Sequence, residues 1–479
     1  MKPVHVHGAL VALTAALGLS GCVSFSPDGG MSLVADTVAH ALDKQVVAIR
    51  TPEGAAAARA EVERLLRRPL TADAAVQIAL LNNRGLQAAY NALGLAEAGL
   101  IEASLPPNPT VSFGRLSGSA VLEIEKRVVA NILALATLPA RAEIAKVRFR
   151  QAQLRAAEET LRLAAETRRA YYRAVAAREA IGFLTQAALA AETASRLARR
   201  LGETGAVNKL DQAREQVFYA ELTAQLARAR QHAMSERERL TRLMGLWGED
   251  VDFKLPNALP PLPRRPRTMP EVEVEAVKRR VDLQIASLEV AALARSLGLA
   301  QATRFVTLVE LAGIAKTDEE RSTGERIRSR GFEIELELPI FDLGEVRTRQ
   351  AEETYLQALN RLTERAVVVR SEAREAYRGY RSAYDIARHY RREVLPLRQI
   401  ISEEVLLRYN AMQIDVFALL AEARQRIGST VAAIEAQRDF WVASVDLDTA
   451  IVGGGAGVVA GGAALATPAA AAGGNGAGH

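Results

Sequence analysis

Apolar residues follow two periods along this chain, in different stretches. Leu359, Leu362, Ala366, Val369, Ala373, Ala376, Tyr380, Ala383 and Ala387 succeed one another at alternating steps of three and four. That spacing forms one stripe along a helix and predicts a coiled-coil seam, with small alanines letting neighbouring helices approach closely. Ile144, Val147, Leu154, Leu161, Ala164, Tyr171 and Val175 form a compatible stripe earlier in the chain. The stretch Phe332–Ile340 has the other period: Phe332, Ile334, Leu336, Leu338 and Ile340 alternate with Glu333, Glu335 and Glu337. Side chains alternate across a strand, so the aliphatic and carboxylate rows fall on opposite faces. Carboxylates on one face suit a wet lumen, and aliphatics on the other suit lipid. Val121–Glu125 repeats the alternation more briefly, and Thr110–Leu116 and Phe305–Leu311 are the expected hairpin partners. The charged segment Lys316–Arg326 is expected as a loop in water.

Breaks in these periods divide the chain. Thr71 is an expected helix N-cap, and Pro106-Pro107-Asn108-Pro109 ends the helix it opens. No proline lies between Pro139 and Pro256, and the marked interruption there is Gly202-Glu203-Thr204-Gly205. A continuous helix from Ala140 to Leu201 would run about 90 Å. Leu86-Gln87-Ala88-Ala89 recurs as Leu283-Gln284-Ile285-Ala286, and Glu166–Tyr171 recurs as Glu372–Tyr377. The order of these matches predicts a duplicated unit of helix, β-hairpin and long helix pair. The two copies span 69–255 and 271–452, with the Pro-rich linker 256–270 as the hinge between them and an N-terminal segment at 22–68. A disordered Gly/Ala-rich tail is expected at 453–479.

Composition narrows the function. Lys and Arg number 61 against 56 Asp and Glu, a small imbalance in a heavily charged chain without a compact basic cluster interleaved with aromatics. Nucleic acid is therefore not an expected partner. The sole cysteine, Cys22, leaves no intramolecular disulfide. It follows a start carrying Lys2, an apolar run Ala9–Leu19 and Leu19-Ser20-Gly21, which reads as an export signal over 1–21. Beyond it, no uninterrupted run of strongly apolar residues is long enough to cross a bilayer as a helix. A membrane crossing would therefore use strands. Four strands per chain cannot close a barrel, and open edges in lipid leave backbone groups unpaired at several kcal/mol each. Copies must then assemble, and periodicity alone does not say how many.

Leu-Ser-Gly-Cys resembles the bacterial lipobox, which implies acylation of Cys22, with palmitate among the chains, and a mature chain that begins there. Val23 follows it, so the aspartate that retains lipoproteins at the inner membrane is absent. The opening helix Leu70–Gln87, the passage Ala103–Thr110 and the passage Leu338-Pro-Ile-Phe-Asp-Leu-Gly344 resemble the TolC-like outer-membrane efflux protein family, over roughly residues 69–452. The resemblance implies a mainly α fold with a small β part. It implies a homotrimer whose four strands per chain close a twelve-stranded barrel in the outer membrane, on a long helical coiled-coil tunnel in the periplasm. It further implies a passive duct for small molecules or metal ions, working with a periplasmic adaptor protein and an inner-membrane pump. The chain ends and the Pro-rich linker would form an equatorial belt.

By the same resemblance the tunnel tip lies at the helix breaks Leu201–Asp211 and Arg408–Asp415. Leu201, Gly202, Gly205, Asp211, Tyr409 and Asn410 would meet the adaptor. Arg408, Asp211 and Asp415 would form a charged ring that closes the tunnel, and Met412 stands where the family often has glycine. The stretch Arg408–Arg424 also resembles a subgroup associated with heavy-metal export.

Enzyme chemistry finds no site. The histidines of the mature chain are not at metal-ligand spacing, and no HExxH or GxSxG pattern occurs. No metal, cofactor or catalytic residue is expected. Two other readings stand beside the duct: a coiled-coil structural or adhesive outer-membrane lipoprotein without a channel, and a hydrolase on an unfamiliar fold.

Overall fold

The computed structural model describes residues 24–205 and 207–454. Cys22, the signal at 1–21 and the tail beyond Gly454 lie outside the described residues. The element order is α1 (Ser32–Leu42), α2 (Pro52–Leu66), α3 (Ala72–Asn82), α4 (Arg84–Ser104), β1 (Thr110–Ser117), β2 (Val121–Asn131), α5 (Ile132–Ala136), α6 (Leu138–Glu203) and α7 (Lys209–Met244). The second half repeats it with α8 (Val272–Arg279), α9 (Val281–Ala302), β3 (Leu308–Glu320), β4 (Arg326–Glu337), α10 (Glu345–His389), α11 (Leu395–Asn410) and α12 (Val416–Val452). At 66 residues, α6 is about 100 Å long at 1.5 Å per residue.

Each half opens with two helices where the sequence suggested one. The break falls at Asn83 and at Arg280, whose backbones are extended alike, at φ −70°, ψ 115° and φ −63°, ψ 121°. These positions are in register with the repeated Leu-Gln pairs. Asn83 caps α4, its Oδ1 accepting from the Leu86 amide at 3.1 Å, while its Nδ2 donates to the Leu243 carbonyl at 2.9 Å. Arg280 has no capping oxygen, and Asp282 instead accepts from the Leu283 amide at 2.9 Å. The Arg280 guanidinium lies 2.8 Å from Asp282 and 2.5 Å from Glu372, and Arg365 reaches Asp282 at 2.7 Å. Burial alone would raise the Asp282 pKa, but the hydrogen bonds and charges of Arg280 and Arg365 hold it below the ordinary carboxylate range.

The core follows the stripes read from the sequence. Val369, Ala373, Tyr380 and Ala387 are buried against Phe440, Leu447 and Ile451 of α12, whereas Leu359 at the start of the seam is exposed. Tyr171 and Val175 are buried with Leu70 and Ile78 in a second cluster. Repeated tyrosines tie down the chain just ahead of the first helix of each half: the Tyr171 hydroxyl donates to the Leu70 carbonyl at 3.0 Å, and the Tyr377 hydroxyl accepts from the Met269 amide at 3.3 Å.

The Pro-rich stretch between the halves is pinned and is not a free hinge. The Pro260 carbonyl accepts from Gln437 at 2.7 Å and from the Trp441 indole at 3.0 Å. The Tyr384 hydroxyl donates to the Pro263 carbonyl at 3.1 Å, and the Arg267 amide donates to the Tyr380 hydroxyl at 3.0 Å. Proline lacks an amide hydrogen but keeps its carbonyl, so such a segment is held through its acceptors.

Further features differ from these expectations or add to them. β3 extends through Glu320, so the charged loop shrinks to residues 321–325, because Lys316–Glu320 pair with Val121–Glu125 of β2. β4 ends at Glu337, before Pro339, which leaves Leu338 and Ile340 beyond the strand. A π-helical turn, Tyr390–Val394, joins α10 to α11 just before Pro396, where the missing amide hydrogen interrupts the regular ladder. Helix α9, with 22 residues, is by length and composition long and apolar enough to cross a membrane. It lies along α6 and α10, with Leu283, Ile285 and Ala292 buried. The tail begins inside the fold: Gly454, at φ 79°, comes so near α6 that an added Cβ would sit 2.7 Å from the Arg162 amide nitrogen.

Candidate functional site: the sheet and the helical tip

The strands form one antiparallel sheet in the order β1-β2-β3-β4, so β1 and β4 are both open edges. The pairing Ala312↔Glu333 and Leu311↔Ile334 fixes which residues share a face. One face carries Val111, Phe113, Val128, Leu311, Phe332, Ile334 and Leu336, all exposed. The other carries Glu123, Glu125, Arg127, Glu310, Lys316, Asp318, Glu333, Glu335 and Glu337. Across it Arg127 meets Glu333 at 3.1 Å and Lys316 meets Glu123 at 2.7 Å. The three glutamates of β4 thus share a face with charges from β2 and β3, a grouping that a single strand's alternation cannot reveal.

At the other end, α6 turns into α7 and α11 into α12 by matching paths. Gly205 and Met412 both have positive φ, 77° and 57°. Three residues after each, Asn208 and Asp415 cap the next helix, accepting from the Asp211 amide at 2.9 Å and the Ala418 amide at 2.8 Å. Met412 therefore completes the turn that glycine would make, at a strain of about 1–2 kcal/mol, and its side chain is 93% exposed. The carboxylate of Asp211 accepts from Asn208 Nδ2 at 2.7 Å and pairs with Arg214 at 3.1 Å. Arg408 pairs with Glu404 on its own helix at 2.9 Å. Within one chain, Arg408, Asp211 and Asp415 do not meet.

Leu201 and Tyr409 do converge, on an apolar groove of about 570 Å³ that Leu189, Leu197, Phe417 and Leu420 also line. Gly202 lies against the Gln212 side chain, and Asn410 is the last residue of α11. The contact that joins the two helix pairs here was not foreseen. Glu215 of α7, 2% exposed, meets Arg424 of α12 at 3.1 Å, and Arg424 stacks over the Phe218 ring at 4.2 Å. Burial raises the Glu215 pKa, opposed by Arg424 and reinforced by Asp211. Sequence alone marks both as ordinary charges on helical faces, since their partner lies more than two hundred residues away. Among the described residues, no group of three His, Cys, Asp or Glu side chains is placed to hold a metal.

Residues 273–402 match the sequence family described as outer membrane efflux protein. The fold is that of the outer-membrane efflux channels. The chain superposes on CusC, described with transmembrane channel formation, with a TM-score of 0.65 at 16% identity, over 82% of this chain and 92% of that one. It superposes on the Campylobacter jejuni CmeC outer membrane channel with a TM-score of 0.66 at 17% identity, over 80% and 86%. The open state of the Neisseria gonorrhoeae MtrE outer membrane channel gives 0.65 at 17% identity, over 82% and 89%. These relatives are described as channels and not as enzymes. No curated protein matches the sequence.

Proposed function

We propose that the chain is one subunit of an outer-membrane efflux duct, a passive exit for small molecules or metal ions. The observation that carries this is the sheet: four strands, apolar on one face and charged on the other, with both edges open. An exposed two-faced sheet with unpaired edges is unstable in lipid and invites pairing with further copies. Three copies would bring twelve strands, matching the family's homotrimer, and put the apolar face toward lipid and Glu333, Glu335 and Glu337 into the lumen. Helices α6 and α7 with α10 to α12 would extend the duct into the periplasm. The halves 69–255 and 271–452 act in this reading as structural repeats, and acylated Cys22 anchors each chain.

The tip would dock a periplasmic adaptor, linked to an inner-membrane pump, through the groove that holds Leu201 and Tyr409, with Gly202, Gly205, Asp211 and Asn410 at its rim. Arg408, Asp211 and Asp415 would meet across copies to narrow the opening. Imaging the detergent-extracted, acylated protein by electron microscopy should give threefold tubes, and planar bilayers should give discrete conductance. Asp415→Asn, which keeps the helix cap, should raise that conductance. Thin rods or monomers that do not conduct would sink the duct and leave the coiled-coil lipoprotein.

A further inference from the structure

The apolar face of the sheet does not stay apolar along its length. On β1 it passes from Val111 and Phe113 to Arg115, on β2 from Ala130 and Val128 to Lys126, and on β4 from Leu336, Ile334 and Phe332 to Arg330, Arg328 and Arg326. The changes fall in adjoining rows: Phe113, Lys126, Ala315 and Arg330 pair across one row, and Arg115, Ile124, Thr317 and Arg328 across a row one step toward the hairpin turns. The opposite face at the same level carries Glu123, Glu125 and Asp318 around Lys316, so carboxylates predominate there, whereas the face with the five basic side chains has Glu319 beside Arg326. All five are exposed. Arg326 pairs with Glu319 at 3.0 Å, and among the described residues Arg115, Lys126, Arg328 and Arg330 have no ion-pair partner.

Two of the three strands concerned are the open edges. A copy that paired its β1 with this chain's β4, with the hairpin turns at one level, would set Arg115 beside the arginine row of β4. Like charges on neighbouring strands repel, so the seam calls for an anion that bridges it. Guanidinium groups pair phosphate oxygens in a bidentate fork, and basic side chains at the rim of an apolar band meet lipid headgroups.

We propose that Arg115, Lys126, Arg326, Arg328 and Arg330 form an outward-facing girdle that binds phosphate-bearing headgroups of lipid in the outer leaflet, across the seam between copies. This rests on the reading that the sheet spans the outer membrane with its hairpin turns outermost. The occupant is a lipid and not a soluble anion, because the girdle continues the apolar face that acyl chains would cover.

The test uses the full acylated chain, assembled in neutral detergent, with lipid A as the probe and the same lipid stripped of its phosphates as control. Retained lipid is counted by native mass spectrometry. Lipid A should bind, the dephosphorylated form should bind far more weakly, and the Arg115→Gln, Arg328→Gln, Arg330→Gln triple variant should lose about a hundredfold in affinity, at roughly fivefold per basic side chain. Arg328→Lys with Arg330→Lys, a gentler change if the triple variant fails to assemble, should weaken binding less. Equal retention of both lipids, unchanged binding by the substituted proteins, or displacement by millimolar inorganic phosphate alone would overturn the girdle. Bilayer insertion of the unmodified protein is scored separately. Conductance without phosphate-selective binding removes only the girdle, whereas failure to insert removes the membrane reading beneath it.

Discussion

The two halves follow one backbone path with different chemistry. At the break between their first two helices, the first half uses a neutral amide, Asn83, that caps a helix and donates to the α7 end. The second half uses a charged cluster in which Arg280 and Asp282, 5% and 8% exposed, join Arg365 and Glu372. At the tip the first half turns on Gly205 and the second on Met412. What is repeated is the backbone conformation, an extended residue in one place and a left-handed one in the other. The side chains that support it are free to differ as long as each buried polar group finds a partner.

Substitutions at paired positions should separate what the halves share from what they do not. The largest effect is expected at Asp282→Ala, which takes from the buried Arg280 its buried, two-pronged partner and leaves it only the more exposed Glu372, and should cost about 3 kcal/mol by thermal or denaturant unfolding. Because the Asp282 pKa is lowered in the fold, the carboxylate's contribution is complete above its ordinary 3.8 and is lost as pH falls through the lower folded value. The variant should therefore lose part of the acid sensitivity of the intact protein, and an unchanged acid limb would place that sensitivity elsewhere.

Asn83→Ala removes a cap and a donor but buries no lone charge, so a smaller loss of about 1–2 kcal/mol is expected in the same unfolding measurement. A loss equal to that of Asp282→Ala would mean that the breaks are equivalent in energy as well as in path. At the tip the change is smallest and has the opposite sign. Met412→Gly relieves the left-handed strain and should stabilise the turn by about 1 kcal/mol, read as slower amide exchange around residues 408–415, while Gly205→Met should quicken exchange at 201–208 by a similar energy. If neither changes exchange, the turns are held by their Asn208 and Asp415 caps alone.

Much of this fold was legible because helical and strand periods are local. The seam on α10 and the stripe on α6 were readable because a helix that must bury one side repeats its apolar residues whatever it packs against. The alternation in β4 was readable for the same reason, and so was the Thr71 cap, whose side chain accepts from the Ala74 amide at 3.1 Å. Less legible were the ends. Charged Lys316–Glu320 look like loop until their β2 partners are known, and Leu338 and Ile340 look like strand until Pro339 is weighed against the ladder. The tip followed the same division. Its two breaks and the positions Gly205 and Asp211 could be marked from the sequence, but the groove uniting Leu201 with Tyr409 could not.

The sequence by itself determined the long helices, the alternation of β4 and of the start of β2, the duplicated plan and the absence of enzyme motifs, since each depends on neighbours a few residues apart. Only the tertiary structure decided what pairs across the halves. It supplied the breaks at Asn83 and Arg280, the pinning of the Pro-rich stretch by Tyr380, Tyr384 and Trp441, the Glu215–Arg424 pair, and the register that gathers five basic residues on one face. The physical reason is that side-chain chemistry is written along the chain, whereas charge partners and strand register depend on distances that exist only after folding.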